Sequence, residues 1–133
     1  MCGIVGLIAG GSLRASPDEF AAALAAIQHR GPDDRGIWSE EAVTFGHQRL
    51  SIVDLSPAGH QPMLSACERY VITYNGEIYN HRALRADLDG NAPRKWRGES
   101  DTEVLLELIA RFGIEAALRK VDGMFAFALW DRR

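Results

Sequence analysis

The sequence predicts a single domain that mixes α-helices with β-strands. Helix-start signals precede amphipathic runs at residues 16–28 and 100–112. A β-rich run at residues 69–74 is typical of a strand, and shorter apolar runs suggest further strands. A length of 133 residues fits one domain. We therefore expect one mixed domain built around a common core.

Composition narrows the class of protein. With 47% hydrophobic and 25% charged residues, the chain has the composition of a globular protein. Its net charge is −3 and no long run carries one sign, which argues against nucleic-acid or anionic-membrane binding. No run is long and apolar enough to span a bilayer, and no signal peptide is evident. We expect a cytoplasmic protein that contacts neither nucleic acid nor membrane.

The N-terminus carries a candidate nucleophile. Residues 3–9 are apolar and predict a short buried strand that would fix the N-terminus in place. Cys2 is small enough that an aminopeptidase is expected to remove Met1, leaving a thiol and a free α-amine on one residue. Such a pair can act as nucleophile and base. The alternative is that Cys2 is an inert small residue at the start of a strand.

The first helix is predicted by its cap. Ser16 and Glu19 form a capping box, and Phe20, Leu24 and Ile27 make one buried stripe. The helix should stop before the Gly-Pro pair that follows. Residues 29–36 are charged and contain glycine and proline, so they predict either a surface loop or a loop that carries a site.

A strand is predicted over residues 42–52. Alternation places Phe45, His47 and Arg49 on one face. Arg49 lies in an otherwise uncharged stretch and needs a partner, because a buried unpaired charge is costly. Two partners stay open: an ion pair with Asp54 or a similar carboxylate, and the carboxylate of a substrate.

The histidines do not predict a metal site. His29, His47, His60 and His81 are far apart and lack a short-spaced ligand pair. Each is expected to be a hydrogen-bonding residue of the core or of a loop.

The strand at residues 69–74 is expected to end at Asn75-Gly76. This dipeptide is a strong signal for a hairpin turn. Alternatively, the Asn75 amide and the Gly76 N–H converge on one oxygen as an oxyanion hole. Glu77 follows with no obvious cation nearby.

The C-terminal third predicts two main helices and a strand. Asn80 is expected to cap a helix that ends at Gly90, and residues 100–103 read as a capping box. Asp101 at the first helical position would complement the helix dipole. Residues 124–130 predict a buried strand.

Seven blocks of the sequence together resemble the glutaminase domain of class II glutamine amidotransferases, most closely that of glutamine-hydrolysing asparagine synthetases. They run in order from end to end: MCGIVG (1–6), HRGPDD (29–34), GHQRLSIVDL (46–55), GHQPM (59–63), YNGEIYN (74–80), SDTE (100–103) and DGMFAF (122–127).

The resemblance implies an α+β fold, the N-terminal nucleophile hydrolase fold. In this fold two antiparallel sheets form an αββα sandwich with helices outside. Residues 1–133 would be the N-terminal portion of the glutaminase domain, truncated at its C-terminus and without the synthetase domain. An unpaired sheet edge and an exposed apolar face are then expected, with a tendency to aggregate.

The resemblance also implies roles for particular residues. Cys2 would attack the side-chain amide of L-glutamine, with its own α-amine moving the protons. Asn75 and the Gly76 N–H would stabilise the oxyanion. Three charged residues would hold the amino-acid head group: Arg49 the carboxylate, and Glu77 with Asp101 the ammonium.

No cofactor or metal is expected in this domain. ATP and Mg²⁺ would act in the C-terminal synthetase domain, which would be a partner of the glutaminase and amidate aspartate. A homodimer stays open. Three alternatives remain: a different carboxylate as ammonia acceptor, an amide substrate unrelated to glutamine, and a non-catalytic binding domain if Met1 is retained. Cys67 is expected to be an ordinary core residue.

Overall fold

A computed structural model describes residues 2–10, 16–90 and 94–133 of the chain. Within these ranges its ten α-helices and β-strands follow one another in the order β1 (Gly3–Ile8), α1 (Pro17–Ala26), β2 (Asp34–Glu40), β3 (Val43–Arg49), β4 (Met63–Leu64), β5 (Tyr70–Ile78), α2 (His81–Asp89), α3 (Asp101–Phe112), α4 (Ile114–Leu118) and β6 (Gly123–Asp131). No helix in these ranges is both long and apolar enough to cross a membrane.

The strands form two antiparallel sheets. Sheet 1 has the order β1-β3-β2, and sheet 2 has the order β4-β5-β6. The central strands β3 and β5 face each other. Val43 and Phe45 of β3 pack with Val71 of β5 in one apolar layer. The Thr73 hydroxyl donates a hydrogen bond of 3.3 Å to the Gly46 carbonyl, which ties the two sheets together.

Helices cover the outer face of each sheet. Phe20 and Leu24 of α1 are buried against β3, where a side chain larger than glycine at Gly46 would crowd them. On the other side, α2 and α3 pack on sheet 2, and Leu105 of α3 and Ile72 of β5 are fully buried. The layers are therefore helix, sheet, sheet, helix, which confirms the α+β sandwich.

Two strand predictions are wrong. Residues 34–36, expected in a loop, belong to β2, which pairs with β3 from Asp34↔Arg49 to Glu40↔Val43. β2 is an edge strand whose charged and glycine residues hide its period, so only pairing reveals it. In the other case, Asn75-Gly76 does not turn: β5 runs on to Ile78, because β6 pairs with it along its whole length.

The C-terminal strand is also less buried than predicted. β6 lies at the edge of sheet 2 among the described strands, and Met124 is 62% exposed. The predicted face of α3 is confirmed except at its end, where Phe112 is 43% exposed.

The helix caps differ in their detail. The capping box of α1 is formed, with Ser16 and Glu19 bonding each other's backbone. At α3, Ser100 caps the helix, but Glu103 does not complete a box. Its carboxylate instead accepts hydrogen bonds from the backbone N–H and side chain of Arg97. Asn80 precedes α2 as predicted, but makes no side-chain cap.

Candidate active site

One cavity between the two sheets brings together all six residues singled out in the sequence. It has a volume of about 150 Å³ and lies where β3 ends. Its walls include Cys2, Arg49, Asn75, Gly76, Glu77 and Asp101. These positions span a hundred residues of sequence, so their meeting is a property of the fold.

Strand β1 sets the direction of Cys2. Gly3 pairs with Gln48 of β3 and faces the end of α1, since an added Cβ would meet the side chain of Ile27, the residue after the helix. Alternation then turns Cys2 to the opposite face, toward sheet 2 and the cavity. The sulfur lies 3.4 Å from the backbone nitrogen of Leu50 and 3.6 Å from its carbonyl oxygen. Met1, whose removal is expected, lies outside the described residues.

Strand β5 presents backbone N–H groups to the cavity because β4 is only two residues long. Past the Met63↔Ile72 pair, no strand covers this side of β5 in the described residues. The N–H of Tyr74 donates to the Gln61 side chain at 2.7 Å, and the N–H of Ile78 donates to Asp101 at 3.0 Å. Alternation along an antiparallel strand directs the intervening Gly76 N–H to the same side.

The place of Asn75 and Gly76 on β5, between the cavity and β6, determines their environments. The Asn75 side-chain oxygen is buried and has no hydrogen-bond partner among the described residues. A side chain at Gly76 would overlap the backbone of Met124 and Phe125 on β6, so only glycine allows the two strands to pair here. The pair thus offers an uncommitted amide and a backbone donor at one wall.

Arg49 is held by backbone carbonyls. Its guanidinium donates to the carbonyl oxygen of Asp54 and, at 2.9 Å, to that of Ser56. Gly59 packs against the guanidinium, where any Cβ would overlap it. Of the two partners left open by the sequence, the ion pair with the Asp54 carboxylate is not formed among the described residues. A guanidinium has five N–H donors, so others are left for a ligand.

Asp101 is the buried carboxylate of the cavity. One of its oxygens accepts from the Tyr74 hydroxyl at 3.1 Å as well as from the Ile78 N–H. The helix-dipole interpretation therefore accounts for only part of its environment. Burial, together with the Asp101 carboxylate, raises the pKa of Tyr74, so this phenol stays protonated. Glu77 is exposed at the rim and makes no ion pair within the described ranges.

Sequence reasoning missed three residues that shape the site. Asp54, Gln61 and Tyr74 all line the cavity. Gln61 and Tyr74 stand in two of the seven blocks but were given no role, because a glutamine in a loop and an aromatic residue in a strand are both ordinary. Asp54 was noted only as a partner for Arg49.

The remaining candidates lie elsewhere. In the described part of the chain, no group of three or more His, Cys, Asp or Glu side chains could hold a metal ion. Cys67 is exposed, so its expected place in the core is wrong. Hydrogen bonds with the Ser65 side chain and the Arg69 backbone lower the pKa of its thiol.

Known proteins share this fold. The structure of a glutamine phosphoribosylpyrophosphate amidotransferase from Bacillus subtilis superposes with a TM-score of 0.79 over 96% of this chain and 35% of that one, at 21% sequence identity. This likeness, with the two antiparallel sheets, establishes the N-terminal nucleophile hydrolase fold that the sequence resemblance implies.

Other proteins share a higher sequence identity with the chain. An asparagine synthetase [glutamine-hydrolyzing] of Bacillus subtilis is 41% identical over 135 residues, covering 99% of this chain and 21% of the relative. Asparagine synthetase B of Escherichia coli is 45% identical over 105 residues, covering 79% of this chain and 18% of the relative. The chain thus spans about a fifth of their length. The family model described as "Glutamine amidotransferase domain" matches residues 1–133. The chain therefore belongs to the glutamine amidotransferase domain family.

Proposed function

We propose that this chain hydrolyses the side-chain amide of glutamine with Cys2 as the nucleophile. The observation that carries the proposal is the cavity itself. A thiol, a pair of candidate oxyanion donors and three charged side chains share a space of about 150 Å³. Glutamine offers an amide for the thiol and the oxyanion donors, a carboxylate for Arg49, and an ammonium for Glu77 and Asp101.

The reaction begins at the sulfur of Cys2. The thiolate attacks the amide carbon and forms a C–S bond, while the α-amine of the same residue takes the thiol proton. The tetrahedral intermediate then expels ammonia, which leaves with that proton, and a γ-glutamyl thioester remains. Water attacks the thioester, releasing glutamate and restoring the thiol. Splitting amide cleavage into two steps lowers the barrier of each. The scheme requires removal of Met1, since only then is the α-amine free.

The oxyanion is stabilised from β5. The Gly76 N–H points away from β6, beside two N–H groups that are already bonded to Gln61 and Asp101. The Asn75 amide supplies a second donor once it turns its nitrogen inward. Preorganised donors of this kind stabilise the charge that develops in the transition state.

The head group is held across the cavity. Arg49 is fixed by two carbonyl oxygens and uses its other N–H groups on the substrate carboxylate. Buried Asp101, at the start of α3, and exposed Glu77, on β5, bind the substrate ammonium from the opposite side. A charged hydrogen bond in a partly dry site is stronger than the same bond in water, which favours an amino acid over a simple amide.

The ammonia is proposed to amidate aspartate. This assignment rests on the asparagine synthetase relatives. The acceptor, ATP and Mg²⁺ would bind a C-terminal synthetase domain that is not part of residues 1–133. The steps above use only the side-chain and backbone groups of the glutaminase domain and water.

The direct test is glutamate release from glutamine. Cys2→Ala removes the attacking sulfur, so release should fall to background while glutamine still binds. Cys67→Ala is the matched control, because it removes the other thiol, which is exposed and outside the cavity. We expect it to keep the wild-type rate. Full activity of the Cys2→Ala variant would refute the proposal.

A further inference from the structure

We propose that Asp54 is a positioning residue that fixes the spacing between the two walls of the cavity that hold the amino-acid head group. The inference rests on the proposed function, because it concerns how glutamine is held. One wall is Arg49, on β3. The other is Asp101, at the start of α3.

Asp54 is tied to the Arg49 wall through the backbone. Its carbonyl oxygen accepts a hydrogen bond from the Arg49 guanidinium. Its side chain accepts from the Ser56 N–H at 2.7 Å, and the Ser56 carbonyl is the second acceptor for Arg49, at 2.9 Å. Asp54 therefore sets the position of both carbonyls that orient the guanidinium.

The other carboxylate oxygen reaches the Asp101 wall. It accepts a hydrogen bond of 2.8 Å from the Glu99 N–H, two residues before Asp101. Ser100 between them caps α3. The approach is close, because a Cβ on Gly98 would overlap the same carboxylate. Moving this contact would move the first turn of α3, which carries Asp101.

Asp54 makes these contacts with Ser56 and Glu99 as an ionised carboxylate. Asp54 is 8% exposed. Burial raises its pKa, but hydrogen bonds from the Ser56 side chain and backbone and from the Glu99 N–H outweigh burial, so the pKa of Asp54 lies below its usual value. In an α-amino acid, the carboxylate and the ammonium share one carbon. Their protein partners must therefore keep a fixed separation, and Asp54 bridges those partners.

The test uses two reagents that attack Cys2. Diazo-oxo-norleucine is a glutamine analogue with the full head group, whereas iodoacetamide has none. Asp54→Asn keeps the shape but places an NH₂ group against one of the two N–H donors. Labelling by the analogue should slow about 10- to 100-fold, the loss typical of one charged hydrogen bond. Labelling of Cys2 by iodoacetamide should keep its rate, and the KM for glutamine should rise while kcat changes little.

Asp89→Asn is the matched control. Asp89, the last residue of α2, accepts hydrogen bonds from the Arg94 backbone N–H and the Trp96 indole N–H. Both donors lie between α2 and α3, as Glu99 does, and outside the cavity. We expect it to leave both labelling rates unchanged. Should Asp54→Asn fail to fold, Gly98→Ala displaces the same contact. It should likewise slow labelling by diazo-oxo-norleucine and leave labelling by iodoacetamide unchanged.

Three outcomes decide the inference. Selective loss of the analogue reaction supports it. Equal slowing of both reagents, or a fall in kcat with an unchanged KM, overturns it while leaving the nucleophile in place. A wild-type protein whose Cys2 reacts with iodoacetamide but not with the analogue overturns the proposed function, and the inference with it.

Discussion

His47 is a titratable side chain at the contact between the two sheets. It is fully buried, and its Nε2 lies 2.9 Å from the Tyr74 carbonyl, so Nε2 carries the proton. Its Nδ1 has no partner among the described residues. Burial lowers the pKa of His47 from its usual 6.5 to about 4, with the hydrogen bond to Tyr74 opposing the shift. The ring is therefore neutral at physiological pH.

This residue predicts a loss of stability in acid. Between pH 6.5 and about 4 the unfolded chain binds a proton at His47 that the folded chain does not. The free energy of unfolding should therefore fall as the pH drops through this window, by on the order of 3 kcal/mol. His47→Gln keeps a donor for Tyr74 but does not titrate. Urea unfolding at both ends of the window should show a smaller acid loss in the variant, and an equal loss in both proteins would contradict the assignment.

Single residues differed in how well sequence could predict them. For Cys2, Asn75 and Glu77 the residues themselves left alternatives open, and the predicted roles came from the family resemblance. The hydrogen-bond partners of Arg49 could not be predicted from the sequence, because they are backbone carbonyls, which every residue possesses. Cys67 was misplaced, since a cysteine is often buried but nothing in its local sequence decides the matter.

At the scale of elements, β5 organises the site. Tyr74, Asn75, Gly76 and Glu77 are consecutive on it, and all four line the cavity. One side of the strand is paired to β6 over its whole length, while the other loses β4 after two residues. Because no strand pairs with this side beyond β4 in the described residues, the N–H groups of Tyr74 and Ile78 bond Gln61 and Asp101, and that of Gly76 is left for the proposed oxyanion.

Asn75→Ala should test this use of β5. Removing one oxyanion donor typically lowers kcat about 100- to 1,000-fold, with a smaller effect on KM. Asn80→Ala is the control from the same motif. Its amide binds the Lys120 carbonyl and the Asp122 N–H, outside the cavity. Steady-state glutaminase kinetics should separate the two variants, and comparable losses in both would remove the oxyanion role from Asn75.

Helices were easier to predict than strands. Caps and 3.6-residue periods are local, so α1 and α3 were found with nearly correct starts. Pairing is not local: it carries β5 through Asn75-Gly76 and makes a strand of the charged residues in β2. The turn signal of an Asn-Gly pair yields here to nine cross-strand pairs between β5 and β6.

At the scale of the whole molecule, the sandwich gathers distant segments into one cavity. Cys2 directly precedes β1, Arg49 comes from β3, three residues come from β5 and Asp101 comes from α3. The family resemblance predicted this set and the αββα layers. It did not predict the bridge from Asp54 to Glu99, because those residues are 45 positions apart and Glu99 belongs to none of the seven blocks.

The central claim is that a mature N-terminal Cys2 attacks glutamine in this cavity. The most direct measurement is the intact mass of the protein before and after diazo-oxo-norleucine, with and without glutamine. The account predicts a chain lacking Met1 and a single adduct that maps to Cys2 and is blocked by glutamine. Retained Met1 without an adduct, or an adduct at Cys67 alone, would contradict it.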